Sequence, residues 1–138
     1  MKPKKNLSGV FIFLGIAILI VICAICHNIS FIDRTVNNKI DPTTHDAYIA
    51  MLLISGGAFL IFTAAHVFAT FKLFNKMPYN KGAITTQIFA GMFYLGGIVC
   101  AIVSFFFTPK ETALLLIITQ SAFVASAVLT CYVCKEAN

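Results

Sequence analysis

The chain has 138 residues, of which 59% are hydrophobic and only 11% charged, with a net charge of +5. Soluble globular domains carry about a quarter charged residues, so this composition excludes a soluble domain and leaves almost no chain outside apolar segments. The positive balance does not point to nucleic acid, because the cations are spread along the edges of the apolar runs, where anionic lipid headgroups account for them.

Four stretches lack Asp, Glu, Lys and Arg: 7–32, 47–71, 82–109 and 112–134. Each reaches the roughly 20 residues that a helix needs to cross about 30 Å of hydrocarbon. Lipid offers backbone amides no partners, so each is predicted to be helical, over about 7–31, 47–72, 83–107 and 110–134. The predicted fold class is all-α, a single integral membrane domain. Short connections imply consecutive neighbours in an up-down-up-down four-helix bundle.

The first run follows a Met1-Lys2-Pro3-Lys4-Lys5 start and resembles a signal peptide in charge. It is longer than the 7 to about 15 apolar residues of a cleavable segment and ends in Cys23-Ala24-Ile25-Cys26-His27, so it reads as a retained anchor. Asn28-Ile29-Ser30 is a formal glycosylation acceptor placed too close to the helix end for use. Asp41-Pro42-Thr43-Thr44-His45-Asp46 offers caps for the second helix.

Helix two carries small residues at Gly56, Gly57, Ala58, Ala64 and Ala65, and one ionisable group, His66. An ionisable side chain inside a span is a functional hypothesis by default. Gln87 on helix three lies at similar depth, and a His66–Gln87 hydrogen bond is the expected structural use of both. Haem ligation by His66 would need a second axial residue at the same depth, which His27 and His45 do not supply. Pro78 and Gly82 break the chain between helices two and three.

Along helix three, Ala90, Gly97, Ala101 and Ser104 recur at spacings of seven, four and three, which places them on one smooth packing face. Thr108-Pro109-Lys110-Glu111 then reads as a helix start, with Thr108 as cap, Pro109 in the first turn and Glu111 completing a capping box. Helix four contributes Gln120 as a further interhelical polar candidate. Cys131 and Cys134 stand beside Lys135 at its end, where juxtamembrane thiols are candidates for S-acylation.

Orientation follows the cations. Lys2, Lys4, Lys5, Lys72, Lys76, Lys81 and Lys135 fall on one side, predicted cytoplasmic together with both termini. Arg34, Lys39 and Lys110 fall on the other, among Asp33, Asp41, Asp46 and Glu111. Cys23/Cys26 and Cys131/Cys134 share the CxxC spacing of thiol oxidoreductases, but they lie toward opposite ends of the bundle, too far apart to exchange disulfides. Ser/His/Asp groupings, paired intramembrane carboxylates and phosphate-binding glycine loops are all missing, so neither catalysis nor a cofactor is expected.

The segment Ile84-Thr85-Thr86-Gln87-Ile88-Phe89-Ala90-Gly91-Met92-Phe93-Tyr94-Leu95-Gly96-Gly97 resembles the third helix of MARVEL-domain proteins, and chain length, helix number and cytoplasmic termini are similar too. Cys100 departs from the pattern, standing where some members carry an acidic residue. The resemblance implies a noncatalytic role in membrane organisation, vesicle traffic or cell contact, with lipid, partner membrane proteins or further copies of the chain as associates. The absence of Trp and of loop cysteines separates the chain from claudins, tetraspanins and connexins. A small accessory subunit of a respiratory or transport assembly is the alternative, and a haem or thiol redox enzyme the third reading.

Overall fold

The computed structural model describes residues 7–37, 45–76 and 81–137. They form four helices: α1 (Ser8–Val36), α2 (His45–Lys76), α3 (Lys81–Ser104) and α4 (Pro109–Ala137). All four are long and apolar enough to cross a membrane. The caps proposed at 41–44 and the Pro78 breaker lie outside the described residues.

Helix ends depart from the apolar runs for local reasons. α1 continues past 31 to Val36, because Asp33 and Arg34 end an apolar run without interrupting backbone hydrogen bonding. Asn37 closes it, its backbone N–H donating to Asp33 O and its Nδ2 to Asp33 Oδ1, both at 3.0 Å. α3 stops at Ser104 rather than 107. There the amides of Phe105, Phe106 and Phe107 donate to carbonyls three residues back, at 3.3, 3.0 and 3.3 Å, the tighter turn common at helix ends.

α4 begins at Pro109, where the turn chemistry predicts. Thr108 contributes its carbonyl, which accepts from the Thr112 amide at 2.8 Å. The side chain that anchors this start is Thr112, not the Thr108–Glu111 pair of the expected box. The Thr112 hydroxyl reaches Ser104 O at 2.7 Å and Phe107 O at 3.3 Å, tying the first turn of α4 to the last turn of α3.

Packing follows the placement of small and apolar residues. The buried residues of α1 are Val10, Leu14, Ala17, Val21, Ala24, Asn28 and Phe31, alternating in steps of four and three. That ladder is the seam of knobs-into-holes packing. α4 is the hub: it packs along α3 and α1 and also touches α2, while α1 pairs with α2.

Consecutive helices are therefore neighbours in two of three cases. Among the described residues, no Cα of α2 comes within 8 Å of one in α3. Rings fill the interval: Phe62 stacks on Phe123 with centroids 4.6 Å apart, and Tyr94 of α3 lies 5.9 Å from Phe62. Outward faces carry Leu19, Leu60, Leu95 and Val128, all exposed.

Candidate functional site

Two layers of polar side chains cross this apolar bundle. The first joins α1, α2 and α4. Asn28 Nδ2 donates to Gln120 Oε1 at 2.9 Å and lies 3.3 Å from Ser55 Oγ, while Gln120 Nε2 donates to Ser55 Oγ at 3.2 Å. All three residues are buried, and Asn28 Oδ1 has no partner among the described residues.

Gln120 stood among the interhelical candidates, but its partners Asn28 and Ser55 were not grouped with it. The signal available was position: Asn28 continues the four-three ladder of α1, seven residues after Val21. As a glycosylation acceptor Asn28 is spent, since its amide is enclosed between helices.

The second layer joins α2 and α3 around His66, and here the expected direct bond is corrected. His66 and Gln87 do not bond each other. Thr70, one turn beyond His66, stands between them: Gln87 Nε2 donates to Thr70 Oγ1 at 3.3 Å, and Thr70 Oγ1 lies 3.5 Å from His66 Nδ1. The Gln87 amide is taken up by the Thr70 hydroxyl instead, one turn along α2 from His66.

The imidazole also stacks on Tyr94, with centroids 4.7 Å apart and planes at 11°. Tyr94 in turn donates its hydroxyl to Thr63 Oγ1 at 3.2 Å. His66 Nε2 and Gln87 Oε1 are buried with no partner among the described residues.

The unpacked interval between α2 and α3 is a cleft with α4 as part of its floor, and the Phe62–Tyr94–Phe123 rings divide it into two chambers. One, of about 220 Å³, lies between Leu52 and Phe59 of α2 and Ile98 and Ile102 of α3, over Thr119 and Gln120. The other, of about 230 Å³, is bounded by His66, Thr70 and Phe74 on one side and Ile84, Gln87, Ile88 and Gly91 on the other. Phe74, Ile84 and Ile88 at its rim are exposed, so this chamber opens sideways out of the bundle.

The proposed packing face of α3 meets α4. Ala90, Gly97 and Ser104 are buried, with Ala83 extending the series by another seven residues, while Ala101 is half-buried in the wall of the first chamber. Contact is close enough for Ser126 Oγ to donate to Ala90 O at 2.8 Å. A Cβ on Gly97 would stand 2.6 Å from Phe123 Cε1 and 3.2 Å from Thr119 O.

The thiols are all free. Cys23 and Cys26 are exposed, Cys131 is half-buried and Cys134 is fully buried in the core. Of the two lipidation candidates, Cys131 is therefore the more accessible. Among the described residues no three His, Cys, Asp or Glu side chains converge as a metal site. His27 adjoins Asn28 in the first polar layer, and Ser55 of that layer is eleven residues, about 16 Å along α2, from His66. No family model, curated protein or solved structure matches the chain.

Proposed function

We propose that the chain is a multi-pass membrane protein, threaded up-down-up-down with both termini cytoplasmic, and that it acts without catalysis. Its work is to associate with lipid, partner membrane proteins or further copies of itself, in membrane organisation, traffic or contact. The carrying observation is how the polar groups within the four apolar helices are used. Asn28, Ser55, Gln120, Thr70, Gln87, Tyr94 and Thr63 all enter side-chain bonds between helices, and three of the residues with an unpartnered atom, His66, Gln87 and Thr119, border a cleft with mainly apolar walls.

Seven inner cations against three outer ones support the orientation. The segment at 84–97, with its MARVEL-like mixture of small and aromatic residues, fits the same reading. Purification from native membrane in mild detergent tests it. Migration as homo-oligomers, or with lipid or a varied set of membrane proteins, is expected. Stoichiometric co-migration with one large enzyme overturns it in favour of an accessory subunit.

A further inference from the structure

Two residues that line the α2–α3 chamber, His66 and Gln87, hold between them an unused donor and an unused acceptor. Thr70 Oγ1 already accepts from Gln87 Nε2, so its own proton is free for His66 Nδ1. That directed chain places the ring proton of a neutral His66 on Nε2. Both Nε2–H, a donor, and Gln87 Oε1, an acceptor, are then left without partners, in residues that line the same chamber. His66 is 7% exposed. A buried donor and acceptor left unpaired in apolar surroundings are costly, and a ligand that satisfies both is favoured.

We infer that this chamber binds an uncharged lipid alcohol, a diacylglycerol-like lipid whose single free hydroxyl accepts from His66 Nε2–H and donates to Gln87 Oε1 while its chains follow the apolar rim. The inference rests on the membrane reading above and deepens it.

Three observations select this chemistry. A hydroxyl is the smallest group that both accepts and donates, matching the pair presented. Among the described residues no Lys, Arg, Asp or Glu lines the chamber, so a phosphate, carboxylate or ammonium head would meet no opposite charge there. The depth is also that of an uncharged head: His66 is six residues from Lys72 along α2, and Gln87 six from Lys81 along α3, about 9 Å inward in each case. A phosphate drawn that far below the lysines would be stripped of water, whereas a neutral hydroxyl needs only the two bonds offered.

The groove is open at Phe74, Ile84 and Ile88, so the lipid enters sideways from the bilayer. Gln87 is half-buried and held by one bond of 3.3 Å, and a small rotation of its amide brings Oε1 to the hydroxyl. Gly91 is the clearance: a Cβ there would meet nothing within 4 Å.

The test uses the full chain reconstituted in phosphatidylcholine vesicles with a diacylglycerol carrying a photoreactive group on one acyl chain. Labelling is expected within 66–74 and 84–91 and should fall about tenfold, the equivalent of one or two hydrogen bonds, in His66→Phe, which keeps a ring to stack on Tyr94. It should fall as far in Gly91→Leu, whose side chain enters open space and fills the groove without disturbing the core. Unlabelled diacylglycerol should compete, and its O-methyl ether and phosphatidic acid should not. Equal labelling of wild type and Gly91→Leu, or equal competition by the methyl ether, overturns the inference. Extraction of the chain from the vesicles by alkaline carbonate would instead overturn the membrane reading itself, and the inference with it.

Discussion

Asn28 Nδ2 lies 2.9 Å from Gln120 Oε1, a buried bond that joins α1 to α4 across most of the chain. Because Ser55 touches both amides, the same contact also fixes α2. Interhelical hydrogen bonds in membrane proteins average about 0.6 kcal/mol and reach about 1.7. A double-mutant cycle with Asn28→Ala and Gln120→Ala, read by unfolding in mixed micelles, should give a coupling of about 1 kcal/mol, toward the upper part of that range because the bond is buried. Additivity within about 0.3 kcal/mol would show that the contact contributes nothing specific.

Gly97 should resist substitution more than Gly9, Gly15, Gly56, Gly57, Gly91 or Gly96. Those have nothing within 4 Å of a built Cβ, whereas at Gly97 the Phe123 ring and the Thr119 carbonyl stand in the way. Phe123 cannot easily yield, being buried and stacked on Phe62. Gly97→Ala is expected to destabilise the bundle by about 1–3 kcal/mol, the usual range for overpacking. Gly96→Ala should be close to neutral, and Phe123→Leu should recover part of the Gly97→Ala loss. A Gly97→Ala protein as stable as wild type in a thermal melt would contradict this packing.

If the C-terminal cysteines are acylated, the modification should follow accessibility. Thioester-sensitive labelling should disappear in Cys131→Ser and persist in Cys134→Ser, since Cys134 is enclosed by the core. The reverse pattern would mean that the end of α4 leaves the bundle in the modified protein.

Orientation can be mapped with single cysteines in a background lacking the native five. A membrane-impermeant thiol reagent applied to the cytoplasmic side should label Lys81→Cys and Lys135→Cys and spare Lys110→Cys. Labelling of Lys110→Cys from that side would invert the proposed threading.

The helices were legible because a stretch free of charge is a direct physical statement about where a chain can sit, and 47–71 or 112–134 makes it without help from neighbours. The small face of α3 was legible as well, since a period of seven at Ala90, Gly97 and Ser104 returns to one side of a helix. What could not be read was which helix that face would meet, for lateral order is decided by contacts between segments remote in sequence. Hence Gln120 stood out while its partners Asn28 and Ser55 did not. Helix ends were misjudged where charge was taken as a boundary, as at Asp33 and Arg34, which leave the apolar zone and stay helical.

The His66–Gln87 expectation failed for a related reason. Depth along the helices was estimated well enough to bring the two residues to the same level, but the width of the interval was unknown. A four-residue connection constrains only the ends of α2 and α3, and the rings of Phe62 and Tyr94 keep the middles apart. Position along the helices does not tell which side chain of a turn the Gln87 amide meets, and it meets Thr70.

The position of α4 as hub also sets an order of events during synthesis. α1 and α2 can form a hairpin as soon as both have emerged, with Phe13 against Phe68 and Asn28 beside Ser55. α3 emerges next and finds no backbone neighbour in that hairpin, since its close contacts belong to α4. For the time it takes to translate 109–137, the smooth side of α3 waits without α4. α4, made after the other three, therefore closes this bundle, and a ribosome that stalls before it leaves α3 without its partner.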